Sequence, residues 1–184
     1  MPQRLRKIDV TLILRDHIRT LRDYQTDKLL YSDLLLFFFL PFVLGGAAFW
    51  RNVKLRAIAA TGLLTASALF VALLLNLLVM VLAFLRTTQG EPTDESLHLR
   101  KTLLREITAN LSFSILVALA LVATALAGLF GLGDDPDLKI GRVTTFLLIT
   151  GASTLVLNLL MILRRMYVLI LKEFDLHKLR KKAS

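Results

Sequence analysis

The sequence predicts an all-α fold: a polytopic membrane protein with four transmembrane helices, cytoplasmic helical extensions and an N-terminal amphipathic helix. Three observations predict it. The 184 residues are 55% hydrophobic, with a mean hydropathy of +0.65, above the ~45–50% apolar content of soluble domains. The excess is gathered into long uncharged runs, the composition of bilayer-spanning segments. Lys and Arg, which set a net charge of +9, alternate between rich and poor connections in the manner of the positive-inside rule. The chain divides into residues 1–31, a cytoplasmic amphipathic helix, and residues 32–184, the spanning domain, with extensions at about 93–106 and 164–182.

The N-terminal helix is read from its faces. At 100° per residue, Val10, Ile13, Leu14, His17, Ile18, Leu21, Tyr24 and Tyr31 share one broad face. Arg15, Arg19 and Arg22 form a ridge, and Asp9, Asp16, Asp23 and Asp27 form another beside it. A lipid-surface anchor usually carries Lys and Arg alone on its polar face. Anionic lipid would repel the acidic ridge, so packing within or between subunits is the better fit. The functional alternative is an anion port, because guanidinium forks hold phosphate bidentately. The apolar face needs a partner: another cytoplasmic extension or the bilayer. Ser32-Asp33 is a fresh N-cap signal, so the helix is expected to break there. This arm does not read as a signal peptide, since no small-residue cleavage site follows a short apolar core.

The spans follow in order. The first, Leu34 to Trp50, is the shortest and is interrupted by Pro41 and Gly45-Gly46. The second, Ala57 to Leu85, is long enough to overshoot ~30 Å of hydrocarbon. The third covers about Ile107 to Phe130, and the fourth about Val143 to Leu163, ending at Arg164-Arg165. Thr93 is a fitting N-cap after Pro92, with Asp94 and Glu95 in the first turn. The third helix is therefore expected to begin on the cytoplasmic side, and the fourth to continue beyond Arg165. Eighteen of the 23 Lys and Arg residues lie in the N-terminal arm, the second-to-third connection and the tail. Both termini are thus expected in the cytoplasm.

The middle of each span contains no ionisable residue. Ion-coupled transporters, voltage sensors and intramembrane hydrolases keep such groups at depth. The three histidines, His17, His98 and His177, stand apart in the sequence, cysteine is absent, and no phosphate-loop or zinc-ligand spacing occurs. Enzymatic activity, a metal and a cofactor are not expected. Polar residues that do enter the spans are Asn76, Asn110 and Asn158, all placed in the inner half of the bilayer. An unpaired amide in hydrocarbon costs several kcal/mol. These three should meet one another, meet symmetry mates, or line water. They read either as interhelical glue or as a polar ring around a pore. A second candidate for a shared axis is the stripe Thr144, Thr145, Thr150, Ser153 and Thr154. Small residues gather in the outer half, at Gly45-Gly46, Gly62, Gly128 and Gly151 among others. Tight outer packing and an inner splay are expected.

A striped cytoplasmic helix (Arg15, Arg19, Arg22), a short Pro-containing first span and three longer spans resemble the small four-span membrane proteins of bacterial anti-phage operons. These include the channel effector of Hailong systems and the membrane sensor of Kiwa systems. The resemblance covers the architecture of the whole chain. It implies a tetramer and, for the Hailong type, a cytoplasmic oligonucleotide whose phosphates Arg15, Arg19 and Arg22 would meet. The residues and the resemblance together lead to a homo-oligomeric ion channel or pore-forming effector of a bacterial inner membrane, gated through its cytoplasmic helices. The expected partners are further copies of the chain, the lipid bilayer, an anionic nucleotide or oligonucleotide, and a soluble partner from the same operon. The alternative is a non-conducting sensor or scaffold that recruits a cytoplasmic partner.

Overall fold

A chain in hydrocarbon has to satisfy its backbone polar groups internally, and a helix does so within one segment. The computed structural model describes residues 11–20, 39–87, 94–130 and 138–183. They form helices α1 (Thr11–Thr20), α2 (Leu40–Trp50), α3 (Ala57–Thr87), α4 (Asp94–Phe130) and α5 (Arg142–Ala183). Among the described residues there is no strand, only an isolated bridge between Arg56 and Lys139.

Three helices are long and apolar enough to cross a membrane, over Ala57–Ala83, Leu104–Phe130 and Arg142–Tyr167. The expected first span is seen as the 11-residue α2, roughly 16 Å at 1.5 Å per residue, about half the hydrocarbon thickness. Residues 34–38 of that span lie outside the described residues, as do Thr93 and Ser32-Asp33. The expected extensions are continuous with their spans. α4 runs unbroken for 37 residues, and α5 for 42, about 63 Å.

The helices lie in a row, α3 against α4, α4 against α5, and α5 against α2, while α3 and α5 barely meet. α4 is central: 33% of its most apolar stretch is buried inside the chain, against 17% for α3. After Ala57 at its start, the buried positions of α3 recur every seven residues, at Ala60, Ser67, Leu74 and Val81. In α4, Leu104, Ile107, Leu111, Ser114, Ala118, Leu121 and Ala125 alternate by three and four, and Asn110 and Phe113 are buried beside them. A 3.5-residue repeat is the spacing by which two helices pack along a common seam.

The ends are closed by specific hydrogen bonds. α2 stops because Asn52 adopts the left-handed region (φ 57°), which asparagine tolerates better than most residues. Asn52 N–H then reaches Phe49 O and Val53 N–H reaches Ala48 O, the paired bonds of a Schellman cap. The following connection runs beside the one before α5. Ala57 N–H donates to Leu138 O, Ile140 N–H donates to Leu55 O, both at 2.9 Å, and Leu55 N–H donates to Thr145 Oγ1 at 3.3 Å.

Several small residues sit where helices approach closely. A Cβ on Gly151 would stand 2.7 Å from Leu121 Cδ2, and one on Gly128 2.7 Å from Thr144 Cγ2. A Cβ on Gly45 would strike Thr150 Oγ1 and the Phe146 ring. Two expectations need correction. The threonine stripe does not face outward as a unit: Thr144 abuts α4, Thr145 bonds the α2–α3 connection and Thr150 lies against α2. Nor do the helices splay at the other end, where Val81, Leu104 and Ile107 form a buried cluster with Met166. Branched side chains fill there the space that small residues remove elsewhere.

Candidate functional site

α1 lies outside the three spans and packs on α4. Its amphipathic pattern explains the contact: Arg15 is exposed, Ile13 is half-buried, and His17 is 1% exposed. Of the described side chains on the apolar face, His17 and Ile13 turn toward α4, while Leu14 is exposed.

His17 enters a polar line on α4. Its ring stacks on Phe113 with centroids 3.9 Å apart and an interplanar angle of 11°. Its Nδ1–H donates to Asn110 Oδ1 at 2.9 Å, so the other ring nitrogen carries no proton in the neutral form. Asn110 and Ser114 are buried, and Ser114 Oγ–H donates to the Asn110 carbonyl at 2.9 Å. One turn from Asn110, Glu106 pairs with Arg165 of α5 at 2.8 Å. Residues 106, 110 and 113–114 are spaced by one helical turn, so they share one face of α4.

Electrostatics at the cluster disfavour a charged imidazole. Burial holds His17 below its ordinary value of 6.5, the Asn110 hydrogen bond opposes this, and the positive charge of Arg165 adds to the lowering. Neutral His17 is therefore the form that fits between α1 and α4.

The structure separates the sequence-predicted residues. Asn110 and Asn158 are buried between helices, whereas Asn76 is exposed on α3. The register set by Glu106–Arg165 and Leu121–Gly151 brings Asn158 level with Phe113, about one turn from Asn110. Asn158 has no hydrogen-bond partner for either side-chain atom among the described residues. The three amides thus do not form one ring within a protomer. The sequence of α3 is apolar on nearly every face, so its pattern does not mark the inner one; packing against α4 decides it. Of the arginine ridge, Arg15 is exposed on α1; the side chain of Arg19 and the whole of Arg22 fall outside the described residues.

Two groups escaped the sequence reading. Glu106 and Arg165 were visible only as charges near the ends of two spans, and their equal depth was the available signal. Phe113 had no signal, because an aromatic residue in a span is ordinary. Compared with protein-family models, curated proteins and solved structures, the chain matches none.

Proposed function

We propose that the protein is a homo-oligomeric ion channel or pore-forming effector of a bacterial inner membrane. It crosses the bilayer four times, with Leu34–Trp50 as the first span, and holds both termini in the cytoplasm. Gating passes through α1. The observation that supports this is His17, carried by a helix outside the spans and buried against Asn110 and Phe113 within one. Such a contact ties the position of a cytoplasmic helix to the packing of α4, the centre of the spanning layer.

The gating ligand is an anionic nucleotide or oligonucleotide bound by Arg15, Arg19 and Arg22, in keeping with the resemblance to anti-phage effectors, of which the Hailong type is held closed by its oligonucleotide. A ligand shifts a gate only by its differential affinity for the two states. Taking a gate from 1:99 to 99:1 requires roughly 10⁴-fold preference for one state. Multiple guanidinium–phosphate contacts supply free energy of that order, with strong salt dependence.

The test is current recorded in planar bilayers from the purified protein, with and without short DNA oligonucleotides and nucleotides. Unitary conductance that a ligand opens or closes is expected, and Arg15→Glu/Arg19→Glu/Arg22→Glu is expected to abolish the response while assembly persists. A second function, a non-conducting sensor or scaffold, would use the basic cytoplasmic segments, which hold 18 of the 23 Lys and Arg residues, to recruit a soluble partner. Silence from a folded oligomer, under every ligand, would select it.

A further inference from the structure

The exposed side of α3 carries an ordered pattern. Most of the side of α3 turned from α4 is exposed, and Gly62, Thr65, Leu69, Ala72, Asn76 and Val79, spaced by three and four residues, form the line along its middle, opposite the buried residues. They form a 3.5-residue seam, of the same period as the seam Ala60, Ser67, Leu74 and Val81 that α3 buries against α4. Such a line is where a second helix could pack with the same geometry, and its polar and small residues indicate whether one does.

Asn76 shows what the second neighbour has to offer. It lies seven residues inside the Ala83 end of its candidate span, about 10 Å along the axis, a depth within the hydrocarbon on the four-span reading proposed above. No hydrogen bond to its side chain is made among the described residues. An amide facing lipid at that depth costs several kcal/mol. Its partner must supply both a donor and an acceptor. Another asparagine amide does so, since the group is self-complementary. Copies of one chain inserted in the same direction place Asn76 at the same depth, so in an α3–α3 contact it meets itself. A single polar residue at a seam position is also the known device for setting register and oligomer number.

Gly62 is a separate observation. A Cβ there would meet nothing within 4 Å inside the protomer, so no internal contact calls for glycine. Glycine within a helix costs about 1 kcal/mol relative to alanine. A partner helix approaching closely at Gly62 and Ala72 accounts for small residues at these positions.

We propose that this face of α3 is the surface along which copies of the chain associate, with Asn76 hydrogen-bonded to Asn76 of the neighbouring copy. The proposal rests on the homo-oligomeric part of the function above and adds the surface and the contact that specify it.

Cysteine is absent, so single cysteines can be introduced along positions 68–83 of the full chain in native membranes and oxidised. Disulfide-linked dimers are expected at Leu69→Cys, Ala72→Cys, Asn76→Cys and Val79→Cys. Little linking is expected at buried Leu74→Cys or at Val156→Cys, which is exposed on α5. Asn76→Leu should weaken association roughly three- to twentyfold, the range of one interhelical hydrogen bond in a membrane. Gly62→Leu should weaken it also, without lowering the thermal stability of the protomer. Native mass measurement in nanodiscs reads the oligomer independently. An oligomer with no seam periodicity, or one indifferent to Asn76→Leu and Gly62→Leu, overturns the α3 contact and leaves the oligomeric reading standing. A monomer overturns both. Linked, oligomeric protein that passes no current upholds the contact and overturns the channel.

Discussion

His17 and Phe113 stack ring on ring at 3.9 Å, across ninety-six positions of sequence, and join the N-terminal helix to the central span. The contact combines an apolar body with a polar edge. The ring face buries against phenylalanine while Nδ1–H is satisfied by Asn110. A leucine in the same place would pack without specifying rotation, whereas the imidazole seats α1 in a single register on α4.

Docking of α1 is predicted to weaken in acid. His17 is held below 6.5 in the docked state, first by burial and then by Arg165. A lowered value means that the docked state binds fewer protons than the free one, so its stability is full above 6.5 and declines as pH falls through the lowered value. A spin label on Leu14→Cys should gain mobility over that range. His17→Phe, which keeps the stack and cannot titrate, should remove the pH dependence. A label equally mobile at every pH would show that the imidazole does not control docking.

The Glu106–Arg165 pair is predicted to fasten α4 to α5 at the end where α1 docks. Its side chains are only 25% and 17% exposed, so removing one partner costs more than at a free surface. Glu106→Gln should lower stability by about 1–3 kcal/mol, read as a lower unfolding temperature in detergent. The exchange Glu106→Arg/Arg165→Glu should recover part of the loss if the interaction is chiefly coulombic. Equal damage from the single and double variants would point to packing instead.

Glycine positions are predicted to differ sharply. Gly151→Leu drives atoms into Leu121, and Gly45→Leu into Phe146 and Thr150; overpacking of this kind costs roughly 1–3 kcal/mol. Gly46→Leu meets open space and should leave the unfolding temperature of the protomer near that of the parent. The comparison needs only thermal unfolding of three purified variants.

Asn158 is predicted to weaken the fold for which it supplies the core. Its amide is buried and makes no hydrogen bond among the described residues. Asn158→Leu, which keeps the branching of the side chain and removes its polar atoms, should stabilise by roughly 1–3 kcal/mol. Stability gained together with lost conductance would mark Asn158 as a residue kept for function at a cost to folding. A destabilised variant would show that a water or an unseen group satisfies the amide.

The helical elements were readable because their signals are local. Charge-free runs above eighteen residues have few soluble interpretations, and α3, α4 and α5 follow them closely. The extensions of α4 and α5 were readable because no glycine or proline interrupts the chain where the apolar pattern ends. His17 could be placed on the inward face of α1 because a helix beside water must segregate its apolar residues.

The sequence by itself determined an all-helical chain, its three long apolar helices and an amphipathic α1 bearing His17 on the apolar side. Tertiary structure alone decided that Asn110 and Asn158 turn inward while Asn76 turns out, that Glu106 meets Arg165, and that α2 joins α5 rather than α3. The physical reason is the solvent. Water forces a helix to declare its inner face through composition, but hydrocarbon accepts leucine on every face. Within the spans, shape, depth and the pairing of a few polar groups choose the neighbours.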